Sequence, residues 1–260
     1  MAMPSIQPIP MVSPMKAVIL AAGVGRRLGG GDSDSLPKSM LEFGGVSLLR
    51  RHLEILNRSG VADITVVVGH RSASIEGEIA RVGSDLIKTC RNPRYREGSI
   101  VSLWSARDIL GAGAPVIVMD ADVLYDARMM RTLLSAPLEN GFLLDRDVEP
   151  GDEPMKLCVR DGKIVDLHKR PTIPHDWYGE TVGFTRLSAS MAAKLAERTD
   201  RFVRDGRTNV EYEEAIRELI VEEPDSFGFV EATGLPWIEI DFPGDVARAR
   251  ETILPRLVDG

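Results

Sequence analysis

The sequence predicts an α/β fold: a mostly parallel (mixed) sheet covered by helices on both faces, with a small β-hairpin lobe. Three observations carry this expectation. Short, continuous apolar runs at residues 17–20, 64–68 and 115–119 alternate with longer segments of helical periodicity. Strands apolar on both faces belong to sheets buried on both sides. In the second half, residues 157–159 and 164–167 alternate around Asp161-Gly162, a strong local signal for a hairpin. Finally, the first run empties into Gly23 and Gly25 and the run at 115–119 into Asp120 and Asp122. In such sheets ligands bind beyond the carboxyl ends of the strands.

The elements follow in order. After the first strand and its loop, residues 42–45 form a turn, and 46–58 carry Leu48, Leu49, Leu53 and Leu56 at helical spacing. The β-branched run 64–68 is a buried strand, 74–82 a helix and 87–90 a short strand stopped by Asn92-Pro93. A helix spans 99–110, and 115–119 is the fourth strand. Beyond it, 141–144 and 183–186 read as strands, 188–198 and 210–221 as helices. Residues 229–231 and 237–240 flank Gly234 as a second hairpin, and 243–254 close the chain as a helix with Pro243 in its first turn. The expected organisation is a disordered arm at 1–14 and one domain at 15–260.

Composition narrows the partners. The 260 residues suffice for one sizeable core, and 43% hydrophobic with 27% charged residues is ordinary for a soluble domain. The net charge of −7 disfavours nucleic acid and anionic membranes as partners. Cys90 and Cys158 lack metal-ligand spacing and read as free thiols of a reducing cytoplasm. No apolar run reaches the length of a membrane span, and residues 1–14 lack the order of a secretory signal. Nothing sets the oligomeric state; a homodimer is retained as a candidate assembly.

The stretch 16–38 is the richest in chemistry. Glycines 23 and 25 let the backbone approach a bulky group and expose N–H donors, and Arg26, Arg27 and Lys38 stand beside them. Such a loop with three cations suits a phosphate chain. It is neither of the two common glycine motifs: position 28 is Leu28, and no Gly-Lys pair occurs in the loop. Asp120 reads either as a helix cap or as a metal ligand, and Asp122 as a magnesium ligand. Asp241 ends a second apolar strand far downstream, where it could cap the following helix or meet the first carboxylates across the sheet edge. Glu239 shares its side and is a secondary candidate. The four histidines show no metal spacing and are read as structural or surface residues.

The motif L-A-A-G-x-G-x-R at 20–27, followed by Leu36-Pro37-Lys38, resembles the signature of nucleotidyltransferases. With V-M-D-A-D at 118–122 and W-I-E-I-D at 237–241, the chain is similar to the MobA-like and sugar-phosphate nucleotidyltransferases. It is most similar to the bacterial phosphocholine and aminoalkylphosphonate cytidylyltransferases, through LPKSMLEFGG, NPRYREGSIVSLWSA, GETVGF and YEEAI as well. The resemblance implies a Rossmann-like fold and Mg²⁺-dependent transfer of CMP from CTP to a small phosphorylated or phosphonate acceptor. It further implies Leu20, Ala21, Ala22, Gly23, Gly25, Arg26, Lys38, Ser102 and Asp122 around the nucleotide. Arg26 and Lys38 then serve as the catalytic cations, and Asp122 and Asp241 as metal ligands. Where many members carry Asn, this chain has Gly98-Ser99.

The acceptor elements are expected mainly within 141–240. Trp177, Tyr178, Tyr212 and Trp237 lie there beside Glu180 and Glu211, an aromatic and acidic set suited to a choline or aminoalkyl cation. Lys156 and Lys169 flank the hairpin and are candidates for the acceptor phosphate. Sugar 1-phosphates call for hydroxyl-binding Asn and Gln, and this half has Asn140 and Asn209 but no Gln. A sugar or inositol 1-phosphate acceptor, guanylyl transfer to molybdopterin, and a non-catalytic nucleotide-binding domain remain the alternatives.

Overall fold

The apolar runs become the centre of a nine-stranded sheet in the computed structural model, which describes residues 14–28, 36–61, 63–148 and 151–258. The expected arm at 1–14 lies outside the described residues except for Pro14. In chain order the elements are β1 (Lys16–Leu20), β2 (Glu42–Phe43), β3 (Val46–Ser47), α1 (Leu48–Arg58), β4 (Asp63–Val68), α2 (Ser72–Val82) and β5 (Ile87–Arg91). Then come α3 (Ser99–Ser105), α4 (Arg107–Leu110), β6 (Val116–Asp120), β7 (Val123–Tyr125), α5 (Ala127–Ser135), β8 (Gly141–Asp145), β9 (Lys156–Arg160) and β10 (Lys163–His168). The last are β11 (Trp177–Leu187), α6 (Ala189–Arg204), α7 (Glu213–Glu222), β12 (Gly228–Glu231), β13 (Trp237–Glu239) and α8 (Pro243–Arg248).

Strands β5, β4, β1 and β6 are parallel neighbours, and β11 joins β6 antiparallel. Alternate residues face opposite sides, as strand geometry requires. Val18, Val116 and Val118 pack with α3, α6 and α7, while Ala17, Ile19, Ile117 and Met119 pack with α1, α2 and α5. Each fully buried aliphatic side chain contributes about 1.5–3 kcal/mol relative to exposure, so both layers are needed to hold the centre.

The long strand β11 links this part to the lobe. Its Phe184–Leu187 end pairs with β6, and its Trp177–Glu180 end pairs with β9 of the β9–β10 hairpin. Between them Gly183, at φ +78°, breaks the pairing register with β8. Asp161 and Gly162, both at positive φ, turn the hairpin as expected.

Several elements depart from expectation. Residues 42–47 form a small hairpin around Gly44-Gly45, both at positive φ, so α1 starts at Leu48 with Ser47 as its cap. The helix expected over 99–110 breaks at Ala106, where Ser105 Oγ bonds back to Val101 O at 2.9 Å. Strand β7 and helix α5 were not expected; Asp126, not Asp120, caps α5. The strand expected at 183–186 begins earlier, at Trp177, because β9 pairs with residues 177–180. The second hairpin does not form: β12 pairs parallel with β8, and β13 pairs antiparallel with β7 in a separate sheet. The closing segment is α-helical only to Arg248, followed by one π turn and one 3₁₀ turn.

His52 illustrates how the core constrains charge. It is fully buried on α1, and its Nε2–H donates to the carbonyl of Val123 at 2.7 Å. Burial drives its pKa down to about 4. Between pH 6.5 and 4 the unfolded chain therefore binds a proton that the folded chain refuses, and stability falls as the pH drops. His52→Gln should remove roughly 3 kcal/mol of this acid lability. Urea unfolding at pH 7 and pH 4 checks it; the same pH dependence in both proteins would refute it.

Candidate active site

Two pairings assemble the site. In the β1–β6 register Leu20 stands beside Asp120, so the glycine loop and the Asp120-Ala121-Asp122 turn leave the sheet at the same edge. In the β7–β13 register Glu239 stands opposite Val123, and the N–H of Ile240 donates to the carbonyl of Asp122 at 3.0 Å. This brings Asp241 to Asp122. Lys38 enters from a 3₁₀ turn, Lys38–Met40, held under α1, and its stem passes Gly25. A Cβ at Gly25 would lie 3.2 Å from Lys38 Cγ, and Gly25 has φ +67°. The glycine is needed for both reasons.

Lys38 Nζ donates to Asp122 Oδ2 at 2.9 Å and to Asp241 Oδ1 at 2.6 Å. Arg27 Nη1 donates to Asp241 Oδ2 at 2.8 Å and lies 3.0 Å from Glu153. Burial opposes the Lys38 charge, but Asp122 and Asp241 outweigh it and hold the ammonium above its ordinary pKa. For Asp241, likewise, burial is outweighed by Lys38 and Arg27, and the carboxyl is held below its usual range. Asp122, Glu239 and Asp241 each offer an oxygen within 4.8 Å of the others, a set able to hold a metal ion. Glu239 keeps an accessible face on the cleft although protein crowds it. Crowding and then the charges of Asp122, Asp241 and Asp120 push its pKa well up.

Two clefts meet at Asp241. One, of about 320 Å³, is walled by Leu20, Ala21, Gly23, Gly25, Lys38 and Asp122, together with Arg27 and the Tyr95-Arg96-Glu97 loop. The other, of about 380 Å³, is walled chiefly by Asp145, Asp147, Glu153, Glu180, Trp237 and Glu239. Trp237 Nε1 donates to Asp145 Oδ2 at 2.7 Å, which fixes the indole.

Not every expected residue reaches a cleft wall. Ala22 is buried behind the loop, where its carbonyl accepts from His70 N. Ser102 is buried and accepts from Asn92 Nδ2 at 3.0 Å; Asn92 Oδ1 in turn holds Arg94 N, so this pair shapes the 95–97 loop from below. Lys156 is buried and ties down the carbonyls of Gly151 and Lys169. Trp177 lies under the Arg146 guanidinium at 3.7 Å, with Phe229 against it edge-on. Tyr178 points to solvent, near His175. Tyr212 is buried and its hydroxyl donates to Asp120 Oδ2 at 3.0 Å. Asp120 thus caps no helix: burial, then Glu213 and Asp122, push its carboxyl well above the ordinary range. Neighbouring Glu213 is pushed up to about 8 by burial and by Glu211.

Sequence reasoning preferred Arg26 to Arg27, yet Arg27 reaches Asp241, and the side chain of Arg26 lies outside the described residues. It also passed over Tyr95, Arg96, Glu97, Asp145 and Glu153, which only tertiary pairing brings to the clefts.

The profile of the MobA-like NTP transferase domain matches residues 17–161. The chain belongs to this family. A bifunctional IPC transferase and DIPP synthase of Thermococcus kodakarensis is 28% identical over 250 residues, covering 95% of this chain and 52% of that protein. The CMP-5'-(3-aminopropyl)phosphonate synthase of Streptomyces rubellomurinus is 24% identical, covering 92% of this chain and 39% of that protein. The chain thus spans about half the length, or less, of these curated relatives. The solved inositol-1-phosphate CTP transferase of T. maritima superposes with a TM-score of 0.77 at 16% identity, over 95% of this chain and 98% of that one. That likeness establishes a shared nucleotidyltransferase fold. Among the described residues no helix is long and apolar enough to cross a membrane.

Gly183 is an exacting backbone position of the site. A Cβ there would lie 2.6 Å from Asp120 Oδ2, and its φ of +78° strains any other residue. Gly183→Ala should destabilise the protein by at least about 1 kcal/mol. Denaturant unfolding measures this, and an unchanged midpoint would show that the Asp120 contact yields freely.

Proposed function

We propose that this chain transfers CMP from CTP to a small phosphate or phosphonate acceptor that also carries a cation, with Mg²⁺, releasing pyrophosphate. Phosphocholine and 2-aminoethylphosphonate are the representative acceptors. The observation that carries this reading is the second cleft. It adjoins the glycine loop at Asp241, and among the described residues its wall carries eight carboxylates against two arginines, Arg248 and Arg256, with one fixed indole. Such a wall favours a cationic head group by charge and by cation–π attraction. Glu180 and Trp237 are its proposed contacts. An acceptor related to inositol or sugar 1-phosphate is the second reading, favoured by the T. maritima neighbour.

In the proposed reaction the Gly23–Gly25 backbone and the cations Arg26, Arg27 and Lys38 hold the triphosphate. Lys38 and Arg27 offset the charge that develops as pyrophosphate departs. An oxygen of the acceptor phosphate or phosphonate attacks the α-phosphorus; a new P–O bond forms as the α–β anhydride bond breaks, and its electron pair leaves with pyrophosphate. No protein nucleophile is required, so alignment and charge carry the rate. The all-oxygen set of Asp122, Glu239 and Asp241 fits a hard divalent ion. Such an ion would neutralise phosphoryl oxygens next to the point of attack.

Lys38→Gln and Asp122→Asn should each lower the turnover number at least about 100-fold while circular dichroism shows each still folded. Pyrophosphate release measures it, and near-native turnover in either variant would break the site assignment. The same assay with four nucleoside triphosphates and with phosphocholine, 2-aminoethylphosphonate, inositol 1-phosphate and glucose 1-phosphate tests the acceptor. Turnover confined to the last two would overturn the cationic-acceptor reading.

A further inference from the structure

The metal-ligand carboxylates are already in contact with cations of the chain itself. Both oxygens of Asp241 are taken, Oδ1 by Lys38 at 2.6 Å and Oδ2 by Arg27 at 2.8 Å, and Lys38 also holds Asp122 Oδ2. These contacts belong to a run of alternating charge: Asp122, Lys38, Asp241, Arg27, Glu153, Lys169 and Glu211. A divalent ion and the Lys38 ammonium compete for the same oxygens, and like charges so placed repel one another. The side chains of Lys38, Asp122 and Asp241 are only 15%, 21% and 19% exposed, so water screens this contest poorly.

Lys38 carries its charge on a flexible stem that runs beside Gly25, at the wall of the cleft where the triphosphate is proposed to lie. If Arg27 swings away, Glu153 still has Lys169 at 3.7 Å. We infer that Lys38 and Arg27 are exchangeable internal counter-ions of the metal ligands. They occupy Asp122 and Asp241 until a triphosphate draws them onto its own oxygens, so that metal binding depends on nucleotide. The inference rests on the metal reading given above for Asp122 and Asp241. It assigns to Lys38, besides its contact with phosphate, the task of setting the order in which the ligands assemble. Two ligands linked in this way bind with reciprocal positive coupling.

Mn²⁺ binding without nucleotide, followed by the electron paramagnetic resonance of the free ion, tests this directly. Wild type, Lys38→Gln, Lys38→Arg and Asp122→Asn are compared, with circular dichroism to establish that each is folded. Lys38→Gln should bind Mn²⁺ roughly tenfold more tightly than wild type, within the usual range of coupling. Lys38→Arg, which keeps the charge, should stay near wild type, and Asp122→Asn should lose the site. Equal or weaker binding by Lys38→Gln, with binding lost in Asp122→Asn, overturns the counter-ion role while leaving the metal ligands standing. Undiminished binding by Asp122→Asn overturns the metal reading itself. In wild type, CTP equimolar with Mn²⁺ should raise the protein-bound Mn²⁺ signal roughly tenfold over that of Mn²⁺ alone at the same protein and metal concentrations. A bound spectrum of equal intensity without CTP overturns the proposed order.

Discussion

The antiparallel pairing of β13 with β7 is the constraint on which the site depends. It is a short contact of three residues on each side, closed by the bond from Ile240 N to the carbonyl of Asp122. Without it Asp241 has no reason to lie near Asp122, Lys38 loses one of its two carboxylates, and the two clefts no longer share a wall. A separate apolar cluster supports it, in which Leu124, Ile238 and Ile240 pack with Phe43, Leu48 and Ile253. The small hairpin at 42–47 and the irregular C-terminal turns are thus structural supports for a carboxylate pair.

Much of the fold was legible because its central strands are apolar on both faces and stop at glycine or aspartate. Ile64–Val68, the 115–119 run and the Asp161-Gly162 turn carry their structure in local pattern, and each forms close to where the pattern puts it. The failures share a cause. Residues 229–231 and 237–240 look like a hairpin because Gly234 does turn the chain, at φ +83°. Their real partners, β8 and β7, are distant in sequence, and no local signal specifies them.

The candidate site was legible for the same reason and to the same depth. Gly23, Gly25 and Asp122 sit in motifs whose spacing is set by one strand and one turn, and with Lys38 of the Leu-Pro-Lys motif all four reach one cleft. The aromatic residues were harder to place. Trp177 and Tyr212 have residue types that suit a cation, but burial decided their use: one packs beneath Arg146, the other supplies a hydroxyl to Asp120. Arg27 and Arg26 are adjacent and identical in type, so no local pattern marks Arg27 as a partner of Asp241.

Beneath the clefts runs a continuous seam of close contacts. Gly98 packs so closely on the backbone of Val210 that a Cβ would lie 2.1 Å from its carbonyl oxygen. Gly98 N donates to Thr208 O, and Ser99 Oγ accepts from Tyr212 N. The small residues Gly98 and Ser99 let the 95–97 loop and the 208–212 segment touch along their main chains. Tyr212 then reaches Asp120 at the end of β6, and Asp120 crowds Gly183 at the bend of β11. Backbone contacts and one buried hydrogen bond thus form a continuous path from the 95–97 loop at one cleft to the strand that carries Glu180 at the other. Packed interiors transmit small displacements because they have no slack to absorb them. The two clefts therefore share packed walls, with the contacts of Lys38 and Arg27 to Asp241 set between them.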